Sequence, residues 1–339
     1  MSDVGSNDAT RAAVLGAGSW GTALAIHLGS VGHQVSLWGR DPALVSAMAE
    51  RRANPTYLPD VTFPKPVRPS SSLEASLSGA RYVIVAVPSH GFRSVVRQAA
   101  PFLREGAIVV SATKGIEVDS LKRMSEVVVE ETHGRSPVVV LTGPSFAAEV
   151  AQRLPTALVA ASSNAEAVAA VQAEFRGPQF RLYGSSDVVG VEISGALKNI
   201  IAIAAGVVES LGLGHNAMSA LITRGLAEIG RLAIAMGGQR ETSSGLSGLG
   251  DLVLTCTGSL SRNRHVGIEL GRGRTLDDIL AGMRMVAEGV KTTAAALELG
   301  ERHGVELPIA AQMAEVFAGR RTPRAAVGEL MLRPQRGES

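Results

Sequence analysis

The chain has 339 residues, too many for one typical hydrophobic core, so two domains are the starting expectation. Its formal net charge of +2 is small for that length and no basic run stands out, so nothing requires a nucleic acid or an anionic membrane as partner. A single cysteine, Cys256, excludes an internal disulfide and fits a reducing compartment.

Residues 1–10 are polar and lack the apolar segment of a signal peptide; with residues 333–339 they read as disordered ends of a cytoplasmic protein. An apolar strand is predicted over residues 12–15, followed by Gly16, Gly18 and Gly21 in GxGxxG spacing and a helix over 19–30. Gly16 permits a tight turn, Gly18 lets backbone approach a pyrophosphate, and Gly21 lets helix and strand pack closely. The helix N-terminus offers unpaired N–H groups and the positive end of its dipole to that anion. With a second strand predicted over 35–38, the order strand, glycine turn, helix, strand marks a dinucleotide site.

The residue after that second strand discriminates between nicotinamide cofactors, because an acid binds the ribose hydroxyls of NAD and an arginine accommodates the 2′-phosphate of NADP. Arg40 stands there, which favours NADPH over NADH; Asp41 before Pro42 reads as a helix N-cap. A helix is predicted over 41–52 and a long loop over the proline-rich 54–69. Three further strands are predicted over 82–87, 107–111 and 138–142, with helical patterns between them. That alternation is the signature of a doubly wound, mainly parallel sheet of the Rossmann type, whose ligands bind outside the carboxyl ends of the strands. Pro88, Ser89 and His90, then Thr113 and Lys114, then Gly143, Pro144 and Ser145 fall at that edge. Lys114 should face the same crevice as the glycine turn, unless it is an exposed turn lysine.

From about residue 188 the pattern becomes helical, with helices predicted over 188–210, 217–236, 262–270, 275–282 and 290–303. Lys198 interrupts the most apolar of them, and the positions three and four residues away are Ser194, Gly195, Ile201 and Ala202, mostly small. The stripe leaves room for another molecule, and a desolvated lysine is suited to proton transfer; the alternative is a lysine that snorkels outward or satisfies a buried carboxylate. The apolar run 200–208 is too short to span a bilayer. Glycines at 245, 248 and 250 precede Asp251, a partner for a lysine, or else a turn or cap residue. Ser261, Arg262 and Asn263 ahead of a helix combine a hydroxyl, a guanidinium and an amide with a helix N-terminus, a set suited to a phosphate. The histidines are not spaced as a metal site, and no metal is expected.

GAGSWGTALA (16–25), VPSH (87–90), ATKGIE (112–117), LTGPSFAAEV (141–150), LKNIIAI (197–203), ITRGLAEIGRL (222–232), GLGDLVLTCT (248–257), SRNR (261–264) and AEG (287–289) together resemble bacterial NAD(P)-dependent glycerol-3-phosphate dehydrogenase. The resemblance implies reversible reduction of dihydroxyacetone phosphate to sn-glycerol 3-phosphate for phospholipid synthesis. It implies a catalytic acid/base at Lys198, a cofactor and substrate contact at Lys114, and substrate positions at Gly143, Ser145, Asp251, Ser261, Arg262 and Asn263. Cofactor contacts are implied at Ser19, Trp20, Arg40, Ala147, Arg262, Val286 and Glu288, beside the three glycines. Asn199 and Thr255 are candidates for hydrogen-bonding support of the site. Domains are expected over 11–187 (dinucleotide-binding) and 188–332 (helical, substrate-binding), in a homodimer. Two alternatives remain: a related reductase with a catalytic lysine, of the ketopantoate or 3-hydroxyacid dehydrogenase type, which should lack the phosphate grip at 248–263, and a non-catalytic dinucleotide sensor.

Overall fold

The computed structural model describes residues 10–283, 287–334 and 337. Val286 and most of the two chain ends lie outside the described residues. The first half runs β1 (Arg11–Leu15), α1 (Ser19–Ser30), β2 (Gln34–Trp38), α2 (Pro42–Arg51), β3 (Ala53–Asn54), β4 (Leu58–Thr62), β5 (Val67–Ser70), α3 (Leu73–Leu77) and β6 (Tyr82–Val85). It continues through α4 (Ser89–Ala99), β7 (Ile108–Ser111), α5 (Met124–Glu131), β8 (Val138–Thr142), α6 (Ala147–Ala151), β9 (Thr156–Ala161), α7 (Ala165–Phe175) and β10 (Phe180–Ser185).

Eight strands form one sheet in the order β10-β9-β8-β7-β6-β1-β2-β5. Its pairs are parallel except β8 with β9. Successive strands step from β1 to one side through β2 and β5, and to the other through β6, β7 and β8, so the order reverses between β1 and β6. A ligand crevice belongs outside the carboxyl ends at that point. Both faces of the sheet are covered, which is why its strands read as unbroken apolar runs. Ala12, Val14, Tyr82 and Ile84 pack into the core on one face, and Ala13, Leu15, Val83 and Val85 into the core on the other, the alternation a strand imposes.

The stretch 54–69, expected as one loop, holds the small antiparallel pair β3–β4 and the edge strand β5. Pro69 lies in β5, at the sheet edge; the neighbouring carbonyls of Pro66 and Ser70 receive the Val35 and Gly39 N–H groups, and an edge strand tolerates a proline whose nitrogen faces outward.

The second half contains α8 (Val188–Ser210), α9 (Gly214–Ala235), α10 (Arg240–Ser243), a π-helical turn (Leu246–Gly250), α11 (Asp251–Thr257), α12 (Arg262–Gly271), α13 (Leu276–Ala281), α14 (Glu288–Arg302), α15 (Pro308–Phe317) and α16 (Pro323–Met331). No strand follows β10 among the described residues. At 23 residues α8 is long and apolar enough to cross a membrane, which the run 200–208 did not suggest; 89% of its most apolar window is buried inside the protein, and the core accounts for that apolarity. Asp187 caps α8 through the Gly190 N–H (2.8 Å) and also accepts from the Gln239 N–H and the Thr242 hydroxyl. α12 crosses α8 in backbone contact: a Cβ on Gly267 would lie 1.8 Å from the Ile203 carbonyl oxygen.

Candidate active site

The three glycines of the first turn have separate structural duties. Gly16 has φ +119°, and a Cβ there would meet the Ala86 carbonyl oxygen at 2.7 Å; a Cβ on Gly21 would fall 1.9 Å from the Gly16 carbonyl oxygen. A Cβ on Gly18 would meet nothing within 4 Å, so the structure imposes no packing reason for that glycine. Gly18 is the N-cap of α1 and no side chain caps the helix there, so the positive end of the helix dipole faces the glycine turn where an anion would sit. These features fit the pyrophosphate of a dinucleotide. Asn54, which the sequence did not single out, is fully buried and donates to the Ala17 carbonyl (2.9 Å) and the Thr22 hydroxyl (2.8 Å), holding the turn from behind. Ser19 opens α1, and Trp20 donates its indole N–H to the Ala112 carbonyl (3.1 Å), tying the glycine turn to the segment after β7. Arg40 is exposed after β2, whereas Asp41 accepts from the Ala43 N–H and caps α2.

Across the sheet edge, Lys114 and Lys198 converge on one carboxylate. Lys198 Nζ donates to Asp251 Oδ1 (3.0 Å) and to Thr255 Oγ1 (2.7 Å), and Lys114 Nζ to Asp251 Oδ2 (2.7 Å) and the Gly143 carbonyl (2.8 Å). Asp251 is 1% exposed and Lys198 6%. Thr255 passes its own hydrogen to the Asp251 carbonyl (2.6 Å), leaving its oxygen to receive Lys198. Burial pulls the Lys198 ammonium down to about 8, with Lys114 adding to the shift and Asp251 opposing it. Burial would raise Asp251, but the two lysines overcome it and hold the carboxyl below its usual range. The small residues beside Lys198 admit the sheet edge: a Cβ on Gly195 would meet the Thr142 hydroxyl at 2.9 Å and the Lys114 stem at 3.7 Å. The expected room beside α8 is thus partly taken by the protein. Buried Thr142 and Ser194 hydroxyls there have no hydrogen-bond partner among the described residues.

The π-helical turn presents Asp251 to both lysines. Its Gly248 is obligatory, since a Cβ would lie 2.0 Å from the Ser243 carbonyl oxygen. Gly143 has φ +135° and directs its carbonyl to Lys114; Ser145 donates to the same oxygen (2.9 Å), and Ala147 begins α6.

Ser261 caps α12 through the Arg264 N–H (3.2 Å). Arg262 is the first helical residue and exposed; its guanidinium lies within the field of the Glu288 carboxylate and makes no side-chain hydrogen bond among the described residues. Asn263 donates to Asn199 Oδ1 (2.9 Å) and accepts from the Gly289 N–H (3.1 Å), so it braces α8, α12 and α14 together. Asn199 thus reaches Asn263, whereas Thr255 supports Lys198 directly. Glu288 accepts from the Ser89 N–H (3.1 Å) and hydroxyl (2.5 Å), joining the start of α14 to the turn after β6. Ser89 lay at the predicted strand edge; its partner 199 residues away carries no local signal.

Models of the NAD-dependent glycerol-3-phosphate dehydrogenase N-terminus and C-terminus match residues 11–168 and 187–328. The chain is 53% identical over 333 residues to glycerol-3-phosphate dehydrogenase [NAD(P)+] of Koribacter versatilis, covering 97% of this chain and 99% of that protein. It is 52% identical over 327 residues to the enzyme of that name from Syntrophotalea carbinolica, covering 96% and 98%. The crystal structure of glycerol-3-phosphate dehydrogenase from Coxiella burnetii superposes with a TM-score of 0.92 at 40% identity, over 96% of this chain and 99% of that one. A ketopantoate reductase from Ralstonia eutropha, at 17% identity and a TM-score of 0.60, shares the fold alone. With both family models matched and half of the residues identical along nearly the whole length, the chain belongs to the NAD(P)-dependent glycerol-3-phosphate dehydrogenases.

Proposed function

We propose that the chain reduces dihydroxyacetone phosphate reversibly to sn-glycerol 3-phosphate, supplying phospholipid synthesis, with Lys198 as the acid/base. The observation that carries this reading is the buried Lys114–Asp251–Lys198 cluster at the sheet edge that the glycine turn also faces. NAD(P)H supplies the hydride when bound. Gly16, Gly18 and Gly21 would seat its pyrophosphate at the start of α1; Ser19, Trp20, Lys114, Ala147, Arg262, Val286 and Glu288 are further proposed cofactor contacts, with Arg40 favouring the 2′-phosphate of NADPH.

As the ketone oxygen gains negative charge, the Lys198 ammonium stabilises it and delivers the proton. Asp251 and Thr255 hold that ammonium in place, and Lys114, placed by Gly143, adds a second positive charge over the substrate. Arg262, with the Ser261 hydroxyl, Ser145 and the remaining amide hydrogen of Asn263, takes the phosphate at the N-terminus of α12. On this reading residues 11–187 bind the dinucleotide and 188–332 the substrate, in a cytoplasmic homodimer that does not insert into membranes; the burial of α8 supports the last point.

The test is substrate preference. A charge-assisted hydrogen bond contributes roughly 1.5–3 kcal/mol, and remote binding energy orients the ketone, so dihydroxyacetone should be a far poorer substrate than its phosphate. Arg262→Ala, assayed at saturating NADPH, should shrink that preference about tenfold or more. Equal use of both ketones by the wild type, or an intact preference in the variant, rules the phosphate grip out.

A further inference from the structure

The segment between β7 and α5 carries Lys114, and residues 112–123 have no helix or strand of their own. The segment doubles back through an antiparallel bridge between Ile116 and Arg123 and a bond from the Glu117 N–H to the Lys122 carbonyl (2.9 Å). It belongs by chain order to the sheet half, yet Ile116 and Leu121 are buried in the helical core with Ile193, Ala196 and Leu197 of α8. Its far end is gripped by the same helix. Glu192 accepts from Arg123 Nη1 (2.9 Å), the Ser125 N–H (2.8 Å) and the Ser125 hydroxyl (2.6 Å), and is 6% exposed. Along α8, then, Glu192 holds residues 123 and 125, Gly195 lies against the Lys114 stem, and Lys198 shares Asp251 with Lys114. The six helical steps from Glu192 to Lys198 rise about 9 Å.

We propose that Glu192 is a positioning residue for the reaction: by holding Arg123 and Ser125 it fixes the Lys114 segment along α8 and sets where Lys114 meets Asp251 and Lys198. A buried ion pair adds little net stability over apolar groups of the same size but defines one geometry, which is the use argued for it here. Burial pushes the Glu192 carboxyl up against the opposing pull of Arg123 and Ser125, so its charge depends on keeping both partners. The proposal rests on the roles given above to Lys114 and Lys198.

In Glu192→Gln the amide nitrogen faces N–H donors and at least one of the three bonds is lost, while Ile116 and Leu121 still anchor the segment. The groups acting on Lys198 are Asp251, Thr255 and Cys256 of α11 and, from the sheet half, Lys114. Withdrawing Lys114 removes a positive neighbour, so the high-pH limb of the ketone-reduction profile should move upward. Because small misplacements carry large kinetic penalties, kcat should fall about ten- to a hundredfold, more than the KM for NADPH rises, since the glycine turn still seats the cofactor. Acetic anhydride labelling of the folded holoenzyme, read by mass spectrometry, should show Lys114 modified several-fold faster in the variant than in the wild type. Ser125→Ala, which removes one bond and keeps the Ser125 N–H, should act in the same direction to a smaller extent, and decides the matter if Glu192→Gln does not fold. An unchanged pH profile, kcat and Lys114 labelling in a folded variant overturns the proposal. A wild type unable to reduce dihydroxyacetone phosphate overturns the functional reading instead, and the labelling still decides whether Glu192 places Lys114.

Discussion

Lys198 is kept as an ammonium by a carboxylate it must share, in a place where burial has already weakened its hold on the proton. On the proposed role, a pKa of about 8 would give the two directions of the reaction opposite pH limbs. With Lys198 as the proposed acid/base, ketone reduction uses the protonated form and should decline above about pH 8, while alcohol oxidation uses the free amine and should rise through the same range. Lys198→Ala should lower kcat at least about a hundredfold while NADPH still binds and the fold persists; near-normal turnover by the folded variant removes Lys198 from the mechanism. Arg40 has no packing duty, being exposed beyond the end of β2. Replacing it by an uncharged residue should raise the KM for NADPH more than that for NADH, and equal changes would exclude 2′-phosphate recognition there. At this scale the sequence was readable where a residue conflicted with its surroundings: a lysine in an apolar helix, an acid after three glycines. Asn54 and the Glu288 clasp on Ser89 were not readable, because each depends on a partner brought close only by the fold.

Elements were legible in proportion to their burial. β1, β2, β6, β7 and β8 run through the middle of the sheet and announce themselves as apolar runs. The strands left unnoticed, β5, β9 and β10, lie toward its two edges, where proline, alanine and alternating polar residues are tolerated. The helical half has a comparable concealed joint. The start of α15 receives no cap from its own flanking residues; Glu228 of α9 accepts from the Ile309 N–H (2.6 Å) instead. Burial raises this carboxyl from 4.5 to about 7, although the Ile309 and Ala310 N–H groups oppose it. The folded value lies above the unfolded one, so the contribution of the protonated form is complete below about pH 4.5 and disappears as pH rises through about 7, on the order of 3 kcal/mol at most. Glu228→Gln keeps an acceptor for Ile309 and cannot ionise. Its melting temperature should therefore fall less than that of the wild type between pH 5 and 8, and parallel curves would show that Glu228 does not titrate in that range.

At the scale of the whole molecule the halves are not independent bodies. Ile116 and Leu121 lie in the helical core, Glu192 holds the start of α5, and Glu288 holds the turn after β6. A fragment of residues 11–187 would expose those two apolar anchors and leave Arg123 with Glu126 alone, the Glu192 carboxylate gone. The intact chain should unfold in urea as one transition, with hydrogen-exchange protection of β6 and β7 lost together with that of α8. Two separated transitions would show that each half stands alone. The sequence indicated two parts from a change of periodicity, but the interlock between them was invisible: Ile116 and Leu121 look like ordinary loop residues until α8 is laid beside them.

Trp20 and Trp38 are the only tryptophans in the chain; one bonds the segment after β7, and the other closes β2 with its indole N–H on the Ser71 carbonyl (3.2 Å). Both therefore stand beside the glycine turn. Indole emits where reduced nicotinamide absorbs and oxidised nicotinamide does not. With the cofactor seated at that turn as proposed, the reduced form should quench tryptophan emission more than the oxidised form, an optical gauge that needs neither label nor turnover.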